Sequence, residues 1–187
     1  MAVLRTFIAV ELPEPVRAVL AEVSRQAASC WPANAVRWVR IDGIHLTLRF
    51  LGDTGEDRLP ELRNGLDRLA AGLSAFDLSL AGTGCFPNPR RPRVVWVGVA
   101  DPEECLSRLQ RGVEHLVREL GWEREGRPFQ AHLTLGRVRE PAGPAPADWA
   151  VPVEPLSFRV DRIALIESRL RPEGAEYHRL HAASLTG

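Results

Sequence analysis

Apolar and polar positions follow two different periods along this chain, and the switches between them outline its elements. Residues 3–11, centred on Phe7-Ile8-Ala9-Val10, predict a strand. From Pro13 to about Cys30 the period lengthens, and Val16, Val19, Leu20, Val23 and Ala27 make one helical stripe. Val36–Arg40 and Ile44–Leu51 predict two strands joined by a turn at Asp42-Gly43. Leu59, Leu62, Leu66, Leu69 and Leu73 mark a second helix, and Phe76 to Thr83 alternates as a strand. Residues 84–93, rich in Pro and Arg, predict a loop, and Val94 to Val99 a strand. Asp101 predicts a helix N-cap, with Pro102 in the first helical position and Glu104 completing a capping box. Leu106, Leu109, Val113, Leu116, Val117 and Leu120 are that helix's stripe, and Gly121 ends it. Ala131 to Val138 predicts a strand, 141–155 an exposed connection, and Arg159–Ser168 with Ala175–Ala183 a closing hairpin turned at Pro172-Glu173-Gly174. Three amphipathic helices and about eight strands with short turns give an α+β class with antiparallel or mixed sheets.

Within this pattern one tetramer occurs twice: His45-Leu46-Thr47-Leu48 returns as His132-Leu133-Thr134-Leu135. Side chains alternate across a strand, so each copy turns its leucines into a core and its His and Thr to an open face. The flanks repeat as well. A strand and a helix-opening proline precede each copy (Phe7–Val10 and Pro13; Val94–Val97 and Pro102), and an apolar strand follows each (Phe76–Leu80; Phe158–Val160). Two units are too few for a solenoid. The expected architecture is bilobal, with pseudo-two-fold duplicated strand-helix-strand units and largely antiparallel sheets flanking a central cleft. The whole chain, residues 1–187, is expected to form this single two-lobed domain.

Composition narrows the reading a little. Charges balance at 24 basic and 24 acidic residues, so a general nucleic-acid-coating surface is not implied and any anion site must be local. All 24 Lys/Arg positions are arginine, a side chain suited to bidentate phosphate contacts, but genomic codon bias is the better account of the usage. No apolar run approaches the roughly 20 residues of a membrane span, and the first residues lack a signal-peptide pattern; a cytoplasmic protein is expected. Cys30, Cys85 and Cys105 show no metal-type spacing and read as reduced and structural.

If the two copies face one another, two imidazoles and two hydroxyls converge. One imidazole can remove a proton while the other delivers one, and Thr47 and Thr134 can hold a phosphoryl oxygen. A metal site would need a third ligand, and neither histidine has a carboxylate at ligand spacing; no metal and no cofactor are expected. Strand parity puts Arg49 on the face of His45 and Thr47, as a substrate contact or simply an exposed arginine. Arg137 has the wrong parity for the cleft unless the strand bulges near Gly136. Phe50, Trp96 and Phe129 are candidates for stacking on a base or for core packing. His115, His178 and His181 read as surface or structural.

The paired stretches His45-Leu46-Thr47-Leu48-Arg49-Phe50-Leu51-Gly52 and His132-Leu133-Thr134-Leu135-Gly136-Arg137 resemble the motifs of the two-histidine phosphoesterase superfamily. The nearest branch is the RNA 2′,3′-cyclic phosphodiesterase group, historically the bacterial and archaeal 2′-5′ RNA ligase family. Arg5-Thr6-Phe7-Ile8-Ala9-Val10, Pro92-Arg93-Val94-Val95-Trp96 and Glu167-Ser168-Arg169-Leu170 are similar to it as well. The resemblance implies a cleft between lobes and metal-independent hydrolysis of a terminal 2′,3′-cyclic phosphate to a 2′-phosphomonoester. It implies His45 as proton donor, His132 as proton acceptor, Thr47 and Thr134 on the phosphate, and Arg137 as a phosphate contact. The expected partner is RNA with a cyclic phosphate end, tRNA fragments included, or a nucleoside cyclic phosphate, bound by a monomer. ATP-independent 2′-5′ ligation or cleavage uses the same residues, and an RNA-end-binding module without catalysis is the reading from another class.

Overall fold

The computed structural model describes residues 2–140, 143–172 and 174–187. The elements are β1 (Val3–Val10), α1 (Glu14–Cys30), β2 (Val36–Trp38), β3 (Leu46–Gly55), α2 (Leu59–Ala71), β4 (Phe76–Phe86), β5 (Val94–Ala100), α3 (Cys105–Glu119), β6 (His132–Val138), β7 (Ser157–Val160), β8 (Arg162–Arg171) and β9 (Gly174–Ser184). Short 3₁₀ turns fill Ile41–Gly43 and Glu56–Arg58. Among the described residues the strands form one sheet in the order β7-β4-β5-β6-β3-β1-β8-β9, with β2 also on β6. All the paired strands run antiparallel, which fits the α+β reading.

The two histidine strands sit at the centre of this order. They share a single paired couple, Leu46 with Leu133, so the sheet divides there into two lobes. One lobe runs β3-β1-β8-β9 and the other β6-β5-β4-β7. The pseudo-two-fold relation therefore matches β1 with β5 and β8 with β4. Phe76–Leu80 and Phe158–Val160 are not counterparts, as their sequence positions suggest. They pair with each other, from Phe76–Val160 to Ser79–Ser157, because the chain crosses to the second lobe after β3.

Helical stripes supply the core. Val16, Leu20, Val23 and Ala27 of α1, Leu59, Leu62, Leu66 and Ala70 of α2, and Leu106, Leu109, Val113 and Val117 of α3 are buried in one cluster reaching from Ile8 to Leu185. A smaller buried group, Phe7, Ala9, Ala164 and Ile166, lies apart from it on β1 and β8. Among the described residues no helix is long and apolar enough to cross a membrane.

Several local readings change. Val36–Arg40 and Ile44–Leu51 do not form a hairpin about Asp42-Gly43. β1 occupies one edge of β3, and β2 pairs with β6 instead, from Val36–Val138 to Trp38–Gly136. The α3 helix starts at Cys105, not at Pro102, since Glu104 takes a left-handed conformation with φ 54°. Asp101 still caps it from a distance: its carboxylate accepts bonds from the Leu106 and Ser107 amides and the Ser107 hydroxyl. The 84–93 loop is shorter, because β4 and β5 pair down to Phe86–Val94. The closing strand breaks at Asp161, where β7 leaves for β4 and β8 pairs with β1 and β9. Parts of the 141–155 connection and of the Pro172-Glu173-Gly174 turn lie outside the described residues.

Candidate active site

The same irregularity shapes both histidine strands. In β3, Ala9 pairs with Thr47 but Ile8 pairs with Arg49, so Leu48 is an extra residue. In β6, Trp96 pairs with Thr134 but Val95 pairs with Gly136, so Leu135 is extra. A bulge of one residue reverses the facing of everything beyond it. Leu48 and Arg49 are consequently both buried, as are Leu135 and Gly136. The residue five beyond each histidine, Phe50 and Arg137, returns to the open face. The condition under which Arg137 reaches the cleft is met.

That bulge removes Arg49 from the site. Its side chain is 9% exposed and turns to the back of β3, where Nε approaches Glu114 Oε2 at 2.8 Å and Nη1 approaches Glu125 Oε2 at 3.3 Å. It also donates to the carbonyls of Phe50 and Glu123. Arg49 thus ties β3 to α3 and the segment after it. Strand parity holds only up to Thr47, because the extra residue at Leu48 turns Arg49 to the opposite face.

The Leu46–Leu133 couple orders the other face. In an antiparallel register around it, His45 stands beside Thr134 and Thr47 beside His132, with both leucines beneath. The two His-x-Thr pairs therefore open on a single cleft of about 850 Å³. His132 Nδ1 lies 2.7 Å from the Gln130 carbonyl. A carbonyl only accepts, so Nδ1 carries the proton and Nε2 is left as an acceptor. The Gly43 carbonyl, also two residues back, plays the same part for His45.

Aromatic rings hold both imidazoles. Phe7 stacks on His45 at 4.5 Å, and the chain's single tyrosine, Tyr177, meets it edge-on at 4.9 Å. Phe86 meets His132 edge-on at the same 4.9 Å. Burial among these rings pushes His45 down to about 4, against the opposing pull of the Gly43 carbonyl and the Glu11 charge. His132 is lowered too, by burial first and by the Arg137 charge second. Both shifts favour the neutral imidazole.

The walls carry one sign of charge. Arg5, Arg37, Arg40, Arg137 and Arg171 line the cleft, and no Asp or Glu does among the described residues. In a chain of zero net charge this is a focused anion site. Among the described residues no group of three His, Cys, Asp or Glu side chains stands together as a metal cluster.

His45, Thr47, Phe50, His132, Thr134 and Arg137 are brought together. Phe50 is 54% exposed and is free to stack on a ligand. Trp96 does not line the cleft itself: it stands behind His132, edge-on at 6.5 Å, packed against Phe86 and over Gly84, where an added Cβ would come within 2.0 Å of its ring. Phe129 packs on the core. His115 and His181 pair with Glu119 and Asp67, away from the cleft. Sequence reasoning missed Phe7, Tyr177, Arg5 and Arg37. Phe7 and Tyr177 are distant in the chain, and only the β1–β3 and β8–β9 pairings bring them to His45.

Comparison with known proteins agrees with this geometry. The pattern of the 2′-5′ RNA ligase superfamily matches residues 13–171. An RNA 2′,3′-cyclic phosphodiesterase of Methanothermobacter thermautotrophicus is 38% identical over 181 residues, covering 92% of this chain and 94% of its own. One from Thermus thermophilus is 39% identical over 193 residues, covering 98% and 91%. A crystal structure of a Thermus thermophilus protein superposes with a TM-score of 0.84 at 36% identity over 98% of both chains. Escherichia coli LigT bound to 3′-AMP superposes with a TM-score of 0.78 at 28% identity over 100% of both. Two bulged His-x-Thr strands meeting across one arginine-lined cleft thus sit in a chain whose match runs nearly end to end, and this chain belongs to the 2′-5′ RNA ligase superfamily.

Proposed function

We propose that this chain is an RNA 2′,3′-cyclic phosphodiesterase, opening a terminal 2′,3′-cyclic phosphate to a 2′-phosphomonoester. The observation that carries the reading is the sharing of one cationic cleft by both His-x-Thr pairs. The names of its relatives, and the nucleotide held by Escherichia coli LigT, support it.

In this mechanism the cyclic phosphate lies between the two strands, with Thr47 and Thr134 donating to its free oxygens and Arg137 opposing its charge. His132 Nε2, a free acceptor, takes a proton from water as the water oxygen bonds to phosphorus. The bond from phosphorus to the 3′ oxygen breaks, and His45 delivers a proton to that oxygen. One water is consumed, and the 3′-hydroxyl and 2′-phosphate are formed. The negative phosphate favours protonation of an imidazole beside it, so the bound substrate opposes the burial that keeps His45 neutral. Phe50 stacks on the terminal base. The substrate is an RNA end, tRNA fragments included, or a nucleoside cyclic phosphate, and the working unit is a cytoplasmic monomer. Ligation through a 2′-5′ linkage is the same displacement with a 5′-hydroxyl in place of water, and 2′-5′ cleavage is the reverse of that ligation.

The test is an RNA oligomer ending in 2′,3′-cyclic phosphate, with the product read by phosphorus NMR. A 2′-phosphomonoester is expected, and His45→Ala or His132→Ala should each lower turnover by about 10²–10⁴-fold. Full activity in either variant, or a 3′-phosphomonoester product, would reject the assignment.

A further inference from the structure

β2 is only three residues long, yet it is held firmly. Val36 is buried, Val39 N donates to the Leu135 carbonyl at 2.8 Å, and Arg139 N donates to the Ala35 carbonyl at 2.8 Å. Gly136 makes this possible, since a Cβ there would lie 2.5 Å from Val36 Cγ1. The result is that Arg37 pairs directly with Arg137 across the two strands. Both line the cleft, and both are exposed. Like charges placed opposite each other in an antiparallel pair are destabilising unless something neutralises them. Among the described residues neither has a carboxylate within ion-pair distance, whereas the neighbouring Arg40 and Arg171 pair with Asp42 and Glu176. Two adjacent unpaired guanidinium groups are a cradle for anions, and phosphate oxygens match their forked donors.

We infer that Arg37 and Arg137 bind two successive phosphates of one RNA strand, Arg137 the terminal cyclic phosphate and Arg37 the phosphodiester of the preceding nucleotide. This rests on the cyclic phosphodiesterase reading above and adds the substrate's length to it. Space agrees: about 850 Å³ lies near the upper end of the roughly 300–1,000 Å³ range of ligand sites, more than a lone terminal nucleotide requires. Position agrees too. Arg37 Nη2 reaches the tip of the β8–β9 hairpin, 3.9 Å from where a Cβ on Gly174 would stand. Arg37 therefore reaches from β2 across the cleft wall toward that hairpin. The site is accordingly selective for an RNA end over a mononucleotide.

The experiment compares a nucleoside 2′,3′-cyclic phosphate with an RNA trinucleotide ending in the same group, in wild type, Arg37→Gln and Arg37→Lys. The wild type should prefer the trinucleotide in kcat/KM. Arg37→Gln should reduce that preference about tenfold, and Arg37→Lys should keep most of it. Arg37→Gln should also flatten the salt dependence of trinucleotide kcat/KM by about 0.7 in the log–log slope, one contact's share on a single strand. An unchanged preference, or an equal loss on both substrates, would overturn the proposal. A wild type inactive on both would overturn the cyclic phosphodiesterase reading instead.

Discussion

Arg49→Met separates a structural arginine from a substrate-binding one. The Arg49 side chain is 9% exposed and its partner Glu114 is 18% exposed. Removing one member of a buried pair costs roughly 3–5 kcal/mol, because the other charge stays behind without its partner. Glu114 keeps a little contact with water, which favours the lower end, about 3 kcal/mol. Glu125 is 42% exposed, and its pairing adds less than about 1 kcal/mol. For a chain of 187 residues, 1 kcal/mol moves Tm by about 2–4 °C, so Arg49→Met should melt about 6–12 °C lower. Its kcat/KM, measured well below that temperature, should stay within about threefold of wild type. Arg49→Met combined with Glu114→Leu should regain most of the stability, since an apolar pair of similar volume replaces a buried ion pair at little cost.

Arg137→Met should do the reverse. Arg137 is exposed and, in the proposed mechanism, opposes the phosphate's charge, so Tm should move by no more than about 2 °C while kcat/KM falls about 10²-fold. Thermal melts and steady-state kinetics on a cyclic phosphate RNA read both quantities. An Arg49→Met protein that melts like wild type and has lost its activity would refute the bulge assignment and restore the unbroken-strand reading.

Three further outcomes follow from the ring contacts. Native His45 stays neutral down to about 4, whereas the unfolded ring takes up a proton near 6.5. Stability should therefore fall as pH drops through that window, by roughly 3 kcal/mol in all, and urea unfolding of His45→Gln should show a shallower fall; an identical fall would contradict the burial of the ring. Tyr177→Ala should open His45 to water, raising its NMR-determined pKa and lowering kcat at least about tenfold, while Tyr177→Phe keeps the ring contact and both values. Gly84→Ala should push Trp96 off its seat at a cost of about 1–3 kcal/mol, visible in near-UV circular dichroism, and native stability with an unchanged spectrum would show the contact to be slack.

Long-range order was legible where periodicity is long. The stripes of α1, α2 and α3 are regular over three to five turns, and the duplicated tetramer located both central strands. What was not legible depends on single-residue events. A bulge at Leu48 leaves no mark in composition, yet it moved Arg49 from the cleft to the back of the sheet and brought Phe50 forward. The matching bulge at Leu135 was foreseeable only because Gly136 invites one. β2 was misassigned because a short strand beside a Gly-containing turn looks the same whether its partner is adjacent or about a hundred residues away. Tyr177 and Phe7 escaped because an imidazole's surroundings are set by strand pairing.

The duplicated strands differ mainly just past the bulge, and the difference supplies direction. Position four after the histidine is Arg49 in one copy and Gly136 in the other. The arginine locks β3 to α3; the glycine leaves room for β2, which carries Arg37 to the cleft. Position five is Phe50 in one copy and Arg137 in the other; both line the cleft, and under the proposed function the ring meets a base and the guanidinium a phosphate. Two equivalent His-x-Thr pairs alone would accept a cyclic phosphate in either orientation. With an aromatic face on one side and paired arginines on the other, the nucleotide has one favourable way to lie. In the proposed mechanism the order of proton transfer then follows from the substrate's pose, not from any difference between the two imidazole motifs.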